Sequence, residues 1–110
     1  MPKQPAPPID MTRLRRSAEG ASRLMKALAN PDRLLLLCQL SQGEQRVGEL
    51  EALLGIAQPT LSQQLGVLRD EALVTTRREG KHIYYQIASA QALAMLQTLY
   101  EQFCAPKEAR

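Results

Sequence analysis

Apolar residues recur at helical spacing along the first quarter of the chain. Steps of four and three residues separate them, which is typical of one face of an amphipathic helix beginning near Asp10. The stripe consists of Leu14, Ala18, Ala21, Met25 and Leu28. Asn30-Pro31 ends this helix, because proline disfavours helix in the residue before it and fits the first turn of a new one. The second helix, from about Pro31 to Leu40, is nearly all apolar and is therefore expected at the centre of the domain.

Two short helices joined by a tight turn are predicted next. Apolar positions at 47, 50, 53 and 54 indicate the first, and Gly55 closes it. After the turn Ile56-Ala57, the other begins near Gln58 with Pro59 in its first turn. It buries one stripe of leucines, Leu61, Leu65 and Leu68. Such a pair predicts a helix-turn-helix.

A β-hairpin and a last helix complete the predicted elements. β-Branched and aromatic residues from 73 to 87 flank a turn at Glu79-Gly80, and we expect Tyr85 on the face that packs against the core. Ser89 is a suitable N-cap for a helix through about Phe103. That helix is apolar on more than one side. The first and last helices thus carry more apolar surface than a small domain can bury, which predicts a homodimer formed through both.

The totals fit one globular domain. The chain has 110 residues, 45% hydrophobic and 23% charged, enough for a modest core. Four prolines within residues 1–8 predict a disordered arm at 1–9, followed by the folded domain at 10–105 and a tail at 106–110. No apolar run approaches the roughly 18 residues of a bilayer span, and no apolar leader is seen, so we expect a cytoplasmic protein with no membrane partner.

Polar and basic side chains on the fourth helix and the hairpin suggest double-stranded DNA as a partner. Glutamine, threonine and serine offer donors and acceptors to base edges, and a basic hairpin tip can lie along phosphates. Each feature alone is often a solvated face, but their order along the chain favours DNA, and the net charge of +3 is compatible with it. The predicted contacts are Gln58, Thr60, Ser62, Gln63, Gln64 and Arg69 on the helix, and Arg77, Arg78, Lys81 and His82 on the hairpin.

Two cysteines, Cys38 and Cys104, are the candidates for reactive chemistry. With no CxxC pair and His82 as the only histidine, one subunit is short of ligands for zinc or an iron–sulfur cluster, so we expect no metal or other cofactor. Cys38 follows a run of leucines, where a cysteine by itself is usually a small buried hydrophobe. Cys104 lies near the terminus, where a thiol is open to oxidation. Because no base–nucleophile set accompanies either thiol, no enzyme is predicted.

Several segments together resemble the ArsR/SmtB-type bacterial winged-helix repressors, over essentially residues 12–104. The matching segments are Leu28–Pro31, Arg33-Leu34, Leu61–Asp70, Leu73-Val74, Gly80-Lys81 and Tyr84-Tyr85. The resemblance implies a mainly α winged helix-turn-helix with a β-hairpin wing. It also implies a homodimer through the first and last helices, with the fourth helix in the major groove. Metal-sensing members carry a Cys-x-Cys box on the third helix or Asp and His ligands on the last, and this chain has neither set.

The two cysteines resemble those of the dithiol branch of that family, the biofilm growth-associated repressors and the persulfide-responsive sulfide regulators. Gly55–Arg69 is especially similar to the biofilm type. The resemblance implies that the reduced protein binds its operator. Reactive sulfur species or oxidants then join Cys38 to Cys104 by a disulfide or polysulfide bridge, and DNA is released. Two alternatives stay open: a repressor that senses a metal or metalloid through its thiols, and a nucleoid-type DNA binder, anti-repressor or activator whose cysteines are inert.

Overall fold

The computed structural model describes residues 6–104, within which lie five helices and three strands. In chain order these elements are α1 Met11–Leu28, α2 Pro31–Leu40, β1 Gln45–Arg46, α3 Val47–Leu54, α4 Gln58–Asp70, β2 Val74–Glu79, β3 His82–Ile87 and α5 Ala90–Phe103. The mainly α fold with a β-hairpin is thereby confirmed. Of the predicted N-terminal arm, residues 1–5 lie outside the described residues, as does the predicted tail at 106–110.

Side-chain caps fix the helix starts that the sequence predicted. The Asp10 carboxylate accepts hydrogen bonds from the backbone N–H groups of Thr12 and Arg13, and Ser89 caps α5 through the N–H of Ala92. Asn30 caps α2 in the same way, with proline in the first turn. At the end of α3, Gly55 has φ +68, a left-handed conformation that glycine adopts without steric cost.

Leucines from three helices form the centre of the core. The largest fully buried side chains are Leu36 and Leu37 of α2, Leu50 of α3, and Leu61, Leu65 and Leu68 of α4. The predicted central position of α2 and the predicted apolar stripe of α4 are both confirmed. Since that stripe faces the core, the opposite side of α4 faces away from the body of the protein.

The hairpin belongs to a three-stranded antiparallel sheet in the order β1-β3-β2. β1 was not predicted; it pairs with β3 through Gln45↔Tyr85 and Arg46↔Tyr84. The turn lies at Gly80-Lys81, one residue later than predicted, because Glu79 still pairs with His82. Gly80 has φ +63 and takes the first turn position, where a glycine is preferred in a two-residue hairpin loop. Tyr85 packs against the core, as expected.

The first and last helices leave apolar surface uncovered in the single chain. Residues 11–23 of α1 are exposed throughout, and in its predicted apolar stripe Leu14 and Met25 keep 43% and 53% of their surface exposed. In α5, Ala92 and Leu96 are buried, but Phe103 is 81% exposed. The predicted excess of apolar surface on both helices is therefore present. No helix within residues 6–104 is long and apolar enough to cross a membrane.

Candidate nucleic-acid interface and thiol pair

The polar face of α4 is presented to solvent because the leucine stripe holds its other side in the core. Gln58, Ser62, Gln63 and Arg69 are exposed, whereas Thr60 is half-buried. Ala57, the residue before the helix, has an extended backbone, and no described side chain caps the first turn. The first turn therefore has N–H groups free to bind an anion such as a phosphate.

Gln64 differs from its neighbours on α4. It is half-buried, and its Oε1 accepts a hydrogen bond from Nη1 of Arg33 at 2.9 Å. Arg33 stands on α2, 31 residues away in the sequence, and also donates to backbone carbonyls of α1. The structure thus places Gln64 in an internal contact and not among the outward-facing residues, where the helical pattern predicts it.

The hairpin formed by β2 and β3, which we call the wing, carries paired and unpaired cations. Nε of Arg77 donates to both carboxylate oxygens of Glu44 at 3.0 Å, and its guanidinium lies 4.5 Å from the centre of the Tyr84 ring. This hydrogen bonding lowers the pKa of Glu44 and raises that of Arg77. In contrast, Arg78 and Lys81 are exposed and form no ion pair with any residue in 6–104. The unpaired charge of the wing thus resides on Arg78 and Lys81.

His82 lies beside Arg46, a basic residue that is not among the predicted DNA contacts. Nη1 of Arg46, on β1, is 3.2 Å from Nδ1 of His82. The backbone N–H of Arg46 also donates to Glu49, and this bond lowers the pKa of the Glu49 carboxyl. Arg46 was missed because a two-residue strand has no periodicity to reveal it. A basic side chain just before a helix that leads into a helix-turn-helix is the one signal that was available.

The two thiols lie on different helices and are both free. Cys38, on α2, is half-buried and lines a groove of about 740 Å³ between α2 and α5, beside Leu96 and Tyr100. Cys104 is exposed at the end of α5, where its N–H donates to the carbonyl of Tyr100 at 2.8 Å. Burial raises the pKa of the Cys38 thiol, and the charge of the nearby Cys104 raises it further. Tyr100 therefore lines the same groove as Cys38 and also accepts the N–H of Cys104, although the two cysteines are 66 residues apart in the sequence.

Among residues 6–104, no three His, Cys, Asp or Glu side chains are grouped so that they could hold a metal ion. Cys38 and Cys104 are the two thiol ligands in this part of the chain. That is fewer than the three or four protein ligands usual for zinc.

Comparison with known proteins identifies the family. A model of bacterial regulatory proteins of the arsR family matches residues 30–76. The biofilm growth-associated repressor of Agrobacterium fabrum is 52% identical over 100 residues, which cover 91% of this chain and 86% of that protein.

Solved structures agree with this relationship over the whole fold. The transcriptional repressor BigR from Xylella fastidiosa has a TM-score of 0.84 and 46% identity, covering 89% of this chain and all of that one. A homodimeric winged helix-turn-helix DNA-binding domain from Mycobacterium bovis has a TM-score of 0.71 and 33% identity, covering 82% and 83%. This chain belongs to the arsR family of bacterial regulatory proteins and has its winged helix-turn-helix fold.

Proposed function

We propose that this protein is a homodimeric transcriptional repressor that binds operator DNA when its thiols are reduced. Joining Cys38 to Cys104 through a disulfide or polysulfide bridge then releases the DNA. The observation that carries the proposal is the placement of two free thiols at the α2–α5 groove: Cys38 lines it beside Tyr100, and the carbonyl of Tyr100 accepts the N–H of Cys104. The 52% identity to a biofilm growth-associated repressor supports the role as a repressor.

DNA binding is assigned to α4 and the wing. The exposed Gln58, Ser62 and Gln63 can contact base edges in the major groove, and the uncapped first turn of α4 can bind a phosphate. Arg78 and Lys81 supply unpaired charge for the flanking backbone. Thr60, Arg69 and His82 border these residues and complete the proposed surface.

Dimerisation is assigned to α1 and α5, whose apolar side chains a second copy would cover. The homodimeric domain from Mycobacterium bovis, with the same fold, supports a homodimer. A two-fold dimer presents two copies of α4, and these must be about 34 Å apart to enter successive major grooves on one side of DNA. A change at the dimer helices can therefore alter DNA affinity.

The proposed bridging step consumes one sulfane sulfur. The thiolate of one cysteine takes the outer sulfur of a persulfide RSSH, and RSH leaves. The thiolate of the other cysteine then displaces hydrosulfide from the protein persulfide. Two thiols are oxidised to a disulfide, and the transferred sulfur is reduced to hydrogen sulfide. We expect Cys104 to react first because it is exposed, whereas the half-buried Cys38 has a raised pKa and so carries less thiolate.

The test uses a DNA duplex selected from a random-sequence library by the reduced protein, which we call the selected duplex. Inorganic polysulfide should weaken binding at least about a hundredfold, equal to about 2.7 kcal/mol of differential binding. Mass spectrometry should show a peptide bridged between Cys38 and Cys104. Cys104→Ser should bind equally well before and after treatment. Binding that persists after complete bridging, or unmodified thiols after treatment, would refute the switch.

Two further measurements distinguish the thiol switch from a metal sensor and from a DNA binder with inert cysteines. Release of the duplex by arsenite or zinc, with no effect of polysulfide, would favour a metal or metalloid sensor. If Cys38→Ser with Cys104→Ser leaves every response unchanged, the cysteines are inert and regulation resides elsewhere.

A further inference from the structure

A half-buried arginine joins the end of α1 to the middle of α4. Nε of Arg33 donates to the carbonyl of Ala27 at 2.7 Å, and Nη2 donates to the carbonyl of Lys26 at 3.2 Å. The remaining arm of the guanidinium, Nη1, donates to Oε1 of Gln64 at 2.9 Å. One side chain of α2 therefore contacts the two helices on either side of it.

The local sequence explains why Arg33 reaches this position. Carbonyls in the last turn of a helix have no partner within the helix, and a cation is favourable beside them. Pro31 begins α2 directly after α1 ends, and the Asn30 side chain accepts the backbone N–H of Arg33 at 3.0 Å. This cap fixes the first turn of α2 so that the guanidinium lies against the end of α1. A lysine has one nitrogen and cannot reproduce a planar fork that serves three acceptors.

A second link runs parallel to the first. Nη2 of Arg23, on α1, donates to Glu71, the residue that follows α4, at 3.1 Å. The Arg23 side chain is 66% exposed, and exposed ion pairs contribute little to stability. A crevice of about 270 Å³ between α1 and α4 separates the two links. Of the two links, the Arg33–Gln64 contact is the more shielded from solvent.

We infer that Arg33 is a positioning residue, which holds α4 at a fixed angle to α1 through Gln64, and that Gln64 serves this link instead of contacting a base. The inference rests on the proposed function, in which α1 lies in the dimer and α4 in the major groove. A shift of α1 in the dimer would then be passed to α4 through these hydrogen bonds. Gln64 is thereby removed from the proposed base contacts.

The test compares variants that cut the link from either side, using the selected duplex. Arg33→Lys keeps the positive charge but loses the fork, and Gln64→Leu removes only the acceptor. Each should weaken binding about tenfold. Because both break the same contact, the double variant should also lose about tenfold and not a hundredfold. Arg15→Lys, on the exposed part of α1, is the matched control and should bind normally.

Base substitutions in the selected duplex separate positioning from base recognition. If Gln64 positions α4, Gln64→Leu should weaken all duplexes by a similar factor. Relaxed discrimination at a single base pair would show that Gln64 contacts a base and would overturn the inference. Unchanged binding by Arg33→Lys, or losses that multiply in the double variant, would overturn it as well. If the unaltered protein selects no duplex, the proposed function fails first, and the inference fails with it.

Discussion

Arg77 and Arg78 are neighbours on β2, yet they present different charges to a ligand. Arg77 is hydrogen-bonded to Glu44 through both carboxylate oxygens and is also within 3.3 Å of Glu79. Its positive charge is therefore largely compensated within the protein. Arg78 is exposed and has no ion-pair partner among residues 6–104. At the residue scale, the number of basic side chains overstates the charge that the wing can offer to DNA.

This difference predicts unequal salt effects. Arg78→Ala should lower affinity for the selected duplex and reduce the slope of log K against log salt by about one. Arg77→Ala should change the slope much less, because Glu44 already compensates that charge. Fluorescence anisotropy at several salt concentrations measures both slopes. An equal or larger change for Arg77→Ala would show that the Glu44 pair opens when DNA binds.

The contacts that sequence reasoning missed at this scale join residues far apart in the chain. The Arg77–Glu44 pair spans 33 residues and the Arg33–Gln64 pair spans 31. Periodicity predicts Gln64 on the polar face of α4, but it contains no information on which distant side chain meets that face. Cys38 and Cys104 were linked only by family resemblance, since spacing along the chain does not give a distance.

At the element scale, the sequence predicts the helix starts, because interactions between residues close together in the chain determine them. Asp10, Asn30 and Ser89 cap helices within three residues of themselves, so the sequence places these starts well. β1 has two residues and depends on pairing with β3, so no local sequence pattern predicts it. The hairpin turn was misplaced by one residue because Gly80 was expected at the second turn position. The strand register puts it at the first.

Two glycines should respond oppositely to alanine. Gly80 has φ +63, where an L-residue is strained, so Gly80→Ala should lower the free energy of unfolding by about 1 kcal/mol. Gly66 lies inside α4, and nothing lies within 4 Å of an added Cβ, so Gly66→Ala should raise it by about 0.5–1 kcal/mol. Urea unfolding without DNA measures both. A higher free energy of unfolding for Gly80→Ala would contradict this account of the hairpin turn, and a lower one for Gly66→Ala would contradict the account of α4.

At the scale of the whole molecule, the proposed thiol switch and the proposed DNA-binding surface are connected through the same helices. Cys104 ends α5, Cys38 lies in α2, and Arg33 of α2 contacts both α1 and α4. A bridge between the cysteines would tie the end of α5 to α2, the most central helix. Because α1 and α5 carry much of the uncovered apolar surface, such a constraint acts where a second copy is proposed to bind. Only in a dimer would a shift of α1 or α5 change the spacing between two α4 helices.

Exposed leucines on two different helices allow a matched test of the proposed dimer. Leu14 on α1 and Leu53 on α3 are 43% and 56% exposed, but only Leu14 belongs to the proposed dimer surface. Burying a glutamate carboxylate against an apolar partner is costly, so Leu14→Glu should weaken dimerisation at least about a hundredfold. Leu53→Glu adds the same charge and should remain dimeric. Sedimentation equilibrium distinguishes the two, and a Leu14→Glu variant that stays dimeric would place the interface elsewhere. A monomeric unaltered protein would show that no such dimer forms.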